Sequence, residues 1–322
     1  MRLPDSLTED WAKEEAAHPR LAALIHALRD SPPLPTAVVH PTDHDSLLGA
    51  LAAAEDGTLE PVLVGPQAKI AAAAEEAGVS IEGLEVVDSP HSHAAAATAV
   101  ALARDGRVKG LMKGSLHTDE LLHEVMSKEH GLRTERRISH IFVMDVPTYH
   151  KLLSLTDAAV NIAPDLADKR SMVQNAIDLM HSLGVARPKV AILAAVETVT
   201  ERMPSTLDAA ALCKMADRGQ ITGGLLDGPL AFDNAISAEA ASTKHIHSEV
   251  AGDPDILVTP NIDAGNMLAK QLTFLGGAAA AGVILGARVP IMLTSRADPV
   301  IARRASAAVV AAAAQSGAGT GK

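Results

Sequence analysis

Short apolar runs alternate with longer stretches of helical period along most of this chain. Residues 6–29 read as one amphipathic helix. After the Pro-rich SPPLP, the run AVVH (37–40) reads as a strand and PTDHDS (41–46) as the start of a helix. The unit then repeats. PVLVGP (61–66) is a strand and AKIAAAAEEAG (68–78) a helix closed by Gly78; LEVVD (84–88) and HAAAATAVALARDG (93–106), closed by Gly106, repeat the pair. VKGLMKG (108–114) and HTDELLHEVMS (117–127) follow. Strands this short, alternating with helices, predict a mostly parallel sheet covered on both faces.

The rhythm changes after about residue 137. RISHIFVMDVP (137–147) and HKLLSLTDAAVNIAP (150–164) are longer β-like runs and predict an antiparallel excursion or a crossing into a second lobe. A helix over 166–184, a strand over 188–195 and a helix over 205–219 come next. ITGGLLDG, DILVTP, AGVILG and IMLTS are further strand candidates. The chain closes with a helix over 299–314 and a tail, QSGAGTGK, expected to be disordered.

Composition narrows the functional classes. The 322 residues suit two α/β lobes better than one core. Aromatic residues make up 2%, so the core must be built from Ala, Val, Leu and Ile, and base stacking is disfavoured. A formal net charge of −11 opposes a nucleic-acid partner, which needs clustered Lys and Arg. The single cysteine, Cys213, forms no intrachain disulfide, fits a reducing cytoplasm and reads as helix packing, with a nucleophile as the competing role. The N-terminal stretch is charged and lacks a signal-peptide core, and the apolar runs are broken by Gly and Pro, against a membrane span.

In parallel sheets ligands sit beyond the carboxyl ends of strands, so the residues after each strand are the candidates. Three clusters stand out. The first is Lys113, Gly114, Ser115, His117 and Thr118, where free N–H groups at a helix start suit an anion. The second is Asp263, Gly265 and Asn266, where Gly265 permits close backbone approach to a ligand. The third is Ser295, Arg296 and Asp298, a hydroxyl and a planar guanidinium suited to a tetrahedral oxyanion, followed by a carboxylate that could take a proton. Each has a plain alternative as a helix cap, by Thr118, by Asp263, and by Ser295 or Asp298. The pairs His91–His93 and His245–His247 lack a metal-site frame and read as surface or capping residues. The stretch GGLLDGPLAFDNAIS, with Asp227, Asp233 and Asn234, lacks calcium-loop spacing and reads as a mobile cleft loop. Walker A, GxGxxG and GxSxG patterns are absent.

Taken in order, GLMKGSLHT, DAAVNIAPDL, VAILAAVETVTERMPSTLDAAALCKMADRG, GGLLDGPLAFDNAIS, PNIDAGNML and PIMLTSRAD resemble the phosphate acetyl/butyryltransferase family over about residues 35–315. The AVETV and GPLAFDNAIS stretches are similar to its butyryltransferase side. The resemblance implies a two-lobe α/β/α sandwich like the isocitrate and isopropylmalate dehydrogenases. Its first lobe would hold 1–147 plus 289–322, its inserted lobe 148–288, with the active site in the cleft between them. It implies transfer of an acetyl or butyryl group between coenzyme A and phosphate, with coenzyme A as a substrate, no permanently bound cofactor and no metal. A cytoplasmic homodimer is implied, with no nucleic-acid or membrane partner. Ser295 and Arg296 match the pair that grips the phosphate end of acyl phosphate, and Asp298 is the carboxylate nearest to the family's base. The acetyltransferase pattern places that Asp further on, where this chain has Ile301, Ala302 and Arg303, and it places an Arg where this chain has His123. Two other classes share the sequence features: a metal- and NAD-dependent dehydrogenase of the same fold family, and a non-catalytic acyl-CoA-binding protein.

Overall fold

The computed structural model describes residues 3, 5–294 and 298–319. Pro19 sets the first break. Its ring cannot continue a preceding turn, and His18 before it leaves helical geometry at φ −130° and ψ 64°. The single helix expected over 6–29 is therefore two, α1 (Asp5–Ala17) and α2 (Pro19–Ala27). The βα rhythm follows as β1 (Leu34–Val39), α3 (His44–Glu55), β2 (Leu59–Gly65), α4 (Gln67–Glu76), β3 (Glu85–Asp88), α5 (Ser92–Arg104), β4 (Gly110–Lys113) and α6 (Thr118–Val125). Next come β5 (Ser139–Asp145), β6 (Leu153–Thr156), α7 (Leu166–Ser182), β7 (Lys189–Leu193), α8 (Pro204–Asp217), β8 (Leu225–Leu230), α9 (Phe232–Ile236), α10 (Ala238–Thr243), β9 (Ile256–Val258) and α11 (Ile262–Phe274). The chain closes with β10 (Ala279–Leu285), β11 (Ile291–Met292) and α12 (Val300–Ser316).

These elements form two compact units, residues 1–136 with 279–322, and residues 137–278. In the first, the strands run in the order β3-β2-β1-β4-β11-β10. All neighbours are parallel except β10 and β11. Val38 of β1 is flanked by Leu63 on one side and Met112 on the other. The chain steps from β1 to β2 to β3 in one direction, then returns to place β4 on the far side of β1. The gap between β1 and β4 is thus the point where the strand order reverses. In the second unit the order is β5-β6-β9-β7-β8, with β5 and β6 antiparallel and the rest parallel. The antiparallel excursion expected after residue 137 is this β5–β6 pair.

The core is made of small and branched aliphatics. In α12 every residue from Ile301 to Ala313 is buried, because α12 packs against α1, α2, α3 and β10. Its seven alanines in that stretch let neighbouring backbones approach closely. Ser306 is satisfied within this apolar setting: its hydroxyl donates to the Ala302 carbonyl at 2.6 Å and accepts the Gly282 N–H at 2.9 Å. Gly317, at φ +69°, ends the helix in the left-handed region, so the tail begins later than expected, and Ala318 beyond it is buried. GGLLDGPLAFDNAIS is not a loop: it supplies β8 and α9, and its Asn234 is fully buried. Among the described residues no helix is long and apolar enough to cross a membrane.

Candidate active site

In the first unit, the polar loops that follow β1, β4 and β11 meet at one edge of the sheet. β1 ends at His40, which takes a positive φ of 55°. Its Nδ1–H donates to the Ser115 carbonyl at 2.8 Å, and its own carbonyl accepts the Ser115 N–H at 2.9 Å. The Gly114 N–H continues the ladder to the Val39 carbonyl at 3.0 Å. Position 114 has no room for a side chain, since a Cβ would strike the Val39 carbonyl and lie 2.9 Å from that of His40. The loop after β4 is therefore fastened to the end of β1, at the point where ligands gather in open α/β sheets.

A recess opens there. It is lined by Asp43, Asp45 and Ser46 after β1, by Lys113 and Gly114 at the end of β4, by Thr294 after β11, and by Arg303 of α12. Asp43 is the N-cap of α3 and accepts the Ser46 N–H at 2.8 Å. Lys113 Nζ also lies 3.4 Å from the Gly114 carbonyl. Arg303 is 7% exposed, and its Nη1 lies 3.7 Å from Asp45 Oδ1. Two cations and two carboxylates thus face one small space.

The rest of the first cluster sits on α6. His117, not Thr118, is its N-cap, and its N–H donates to Glu120 Oε1 at 3.3 Å. The Ser92 hydroxyl, 2.5 Å from Glu120 Oε2, holds that carboxyl below its ordinary range. His117 is exposed, whereas Lys113, Ser115 and Thr118 are half-buried.

The second cluster belongs to the other unit, at the carboxyl end of β9. Asn261 caps α11 by accepting the Ala264 N–H at 3.0 Å, so Asp263 is left exposed in the first turn. A Cβ at position 265 would collide with the Asp157 carbonyl and lie 2.8 Å from Thr259 Oγ1, so the freedom of Gly265 is spent on packing α11 against the end of β6. Asn266 Nδ2 donates to the Ala158 carbonyl at 3.0 Å. Asp157 organises the adjoining turn. Its Oδ1 accepts the N–H groups of Ala159 at 2.8 Å and Val160 at 3.0 Å, and its Oδ2 accepts Asn161 Nδ2 at 2.6 Å and the His140 N–H at 3.1 Å.

Of the third cluster, Ser295 and Arg296 lie outside the described residues. Asp298 is half-buried and precedes Pro299, the N-cap of α12. Pro offers no capping oxygen, and the task passes to α1, where Glu14 Oε2 accepts the Ile301 N–H at 2.6 Å. Thus the structure brings Lys113, Gly114 and Thr294 together, keeps Asp263, Gly265 and Asn266 within their own unit, and adds Asp43, Asp45 and Arg303, which lie outside the three clusters. The signal for Arg303 was an Arg–Arg pair inside an alanine-rich helix.

Other candidates settle as structural parts. His91 caps α5 by accepting the Ala94 N–H at 3.2 Å. Burial pushes the Cys213 thiol up to about 12, far from the range of a nucleophile. Asp233 pairs with Lys244 at 3.3 Å, and Asp227 Oδ1 accepts the Gly228 N–H at 2.8 Å.

Parallel strands with charged loops gathered beyond their carboxyl ends define an α/β protein that binds its ligands at that end of the sheet. A profile of the phosphate acetyl/butaryl transferase family matches residues 91–312, and the chain belongs to that family. It is 61% identical over 301 residues to phosphate acetyltransferase of Rhizobium meliloti, covering 94% of each chain. It is 43% identical over 246 residues to phosphate butyryltransferase of Clostridium acetobutylicum, covering 76% of this chain and 82% of the relative. The solved structure of a branched-chain phosphotransacylase from Enterococcus faecalis V583 superposes with a TM-score of 0.76 at 30% identity, over 87% of this chain and 99% of the other. A 4-hydroxythreonine-4-phosphate dehydrogenase from Klebsiella pneumoniae aligns at a TM-score of 0.52 and 13% identity, over 86% of this chain and 98% of the other, a likeness of fold alone.

Proposed function

We infer that this protein is an acyltransferase that moves a short acyl group between coenzyme A and inorganic phosphate, so that acyl-CoA and phosphate exchange with acyl phosphate and free coenzyme A. The observation that carries the reading is the recess itself. Two family stretches far apart in sequence, GLMKGSLHT and PIMLTSRAD, each send a residue to it, Lys113 and Thr294. The name of the 61% identical relative favours acetyl as the group moved.

Acyl phosphate is already activated, so direct attack within a ternary complex suffices and no acyl-enzyme is needed. The coenzyme A thiol must lose its proton, since the thiolate is the nucleophile. Asp298 is the carboxylate nearest in sequence to the anion grip and is assigned that role. Ser295, Arg296 and the 113–118 loop hold the phosphate that leaves. Arg296 stabilises the negative charge that gathers on the carbonyl oxygen. Holding both substrates together supplies the proximity advantage, up to ~7–11 kcal/mol of the barrier. A cytoplasmic homodimer with no bound metal completes the proposal.

The test is release of free thiol from acetyl-, propionyl- and butyryl-CoA on addition of phosphate. Release that depends on phosphate, fastest with acetyl-CoA, is expected. Coenzyme A binding without any phosphate-dependent thiol release would instead assign a binding protein.

A further inference from the structure

Arg303 is an unusual residue to find where it is. It lies one turn into α12, where the helix already presents its positive end and a cation gains nothing from the macrodipole. It is 7% exposed, yet it lines an open recess that Lys113 also lines. Its counter-charge in the recess, Asp45, stands 3.7 Å away on a side chain that is 45% exposed.

The sequence also spends something to put it there. Gly49 lies in the interior of α3, where glycine costs about 1 kcal/mol relative to alanine. A Cβ at position 49 would lie 3.1 Å from Arg303 Cδ and 3.3 Å from Met112 Cε. The missing methyl lets the Arg303 stem cross α3 and deliver its guanidinium to the recess. With the Asp43 carboxylate engaged in capping α3, a cation placed this way beside Lys113 suits an anion, and a planar guanidinium suits a tetrahedral oxyanion.

We propose that Arg303 is a substrate-binding residue for the phosphate substrate, placed by the Gly49 gap. Asp45 partners it when the recess holds no substrate, and phosphate takes over that pairing on binding. The proposal rests on the acyltransfer reading and adds to it a residue outside the Ser295–Arg296 pair. The phosphates of coenzyme A carry the same chemistry, so the experiment separates the two sources.

The full-length chain is compared with its Arg303→Met, Arg303→Lys and Gly49→Ala variants in steady-state assays, with phosphate and acetyl-CoA varied in turn. Arg303→Met is expected to raise the KM for phosphate about tenfold or more, with the KM for acetyl-CoA within about twofold of wild type. Arg303→Lys, which keeps the charge and loses the fork, should fall between. Gly49→Ala keeps the guanidinium but displaces its stem, and should raise the phosphate KM by about two- to fivefold. Inorganic phosphate should raise the Tm of the wild type and not of Arg303→Met, while coenzyme A raises both. An Arg303→Met enzyme with an unchanged phosphate KM overturns the proposal, and so does a rise confined to acetyl-CoA. Should Arg303→Met fail to fold, a Gly49→Ala enzyme with wild-type phosphate KM overturns it equally. A wild-type chain that releases no thiol would defeat the acyltransfer reading, and the phosphate-induced Tm shift would still report on Arg303.

Discussion

Arg304 grips Asp56 through two hydrogen bonds, 2.6 Å from Nε to Oδ2 and 2.8 Å from Nη2 to Oδ1, with both side chains almost sealed from solvent. Glu15 of α1 stands 2.8 Å from Nη2, and the ring of Trp11 covers the guanidinium at 4.2 Å. One arginine therefore ties α1, the end of α3 and α12 together. Removing one member of such a buried pair strands the other, at a cost of about 3–5 kcal/mol. Arg304→Met should lose stability of that order in denaturant unfolding, and adding Asp56→Leu should restore much of it. Trp11 is the single tryptophan of the chain, so its fluorescence reports the loosening directly.

His140 gives a second prediction. Burial lowers its pKa from 6.5 to about 4, against the opposing pull of Asp157. Between these values the unfolded chain takes up a proton that the folded chain refuses. The contribution of His140 is therefore fully present above about pH 6.5 and is lost as pH falls toward 4. Stability of the wild type should drop by about 2–3 kcal/mol more than that of His140→Leu across this window. Chemical denaturation at pH 7, 6, 5 and 4.5 measures it, and parallel curves for the two proteins would refute the assignment.

Gly114→Ala tests the fastening of the 113–115 loop to β1. The added methyl meets two backbone carbonyls, which cannot rotate away. A loss of about 1–3 kcal/mol in stability is expected, with a fall in phosphate-dependent turnover larger than the fall in Tm would explain. Ser115→Ala, whose backbone makes the same bonds, should keep the stability.

Arg296→Ala should lower turnover at least ~100-fold while leaving unfolding midpoints unchanged. For Asp298→Asn, loss of the acidic limb of the pH–rate profile is expected. A profile that matches the wild type would transfer the base role to another carboxylate, with Asp45 and Asp43 of the recess next in line.

The alternation of strands and helices was legible because each period was clean, and β1 through α6 fall where the pattern put them. The helix starts were less so. Thr118, Asp263 and Ser295 or Asp298 were plausible caps by residue type, yet His117, Asn261 and Pro299 hold those positions. A cap is chosen by backbone geometry and by what can reach the free N–H groups, and in α12 that reach comes from Glu14, far away in sequence. The run 150–164 looked like a long strand because apolar residues fill it. Only Leu153–Thr156 pair, since Asp157 draws the following N–H groups into a turn. The anion-binding character of the 113–118 stretch was visible from residue types and its place after a strand. Arg303 was not, because its role depends on a gap left by Gly49 on another helix.

The first unit is discontinuous along the chain, with β11 seated between β4 and β10 and α12, buried from Ile301 to Ala313, arriving last. During synthesis the opening 136 residues therefore emerge without their central helix and with one sheet edge bare, and they must wait for the inserted unit to be made before they can close. The inserted unit, continuous in sequence, has no such delay. Nascent chains halted before residue 300 should accordingly hold a protected second unit and a protease-sensitive first one, and α1, without the α12 partners of Glu14 and Glu15, would be the last helix to dock.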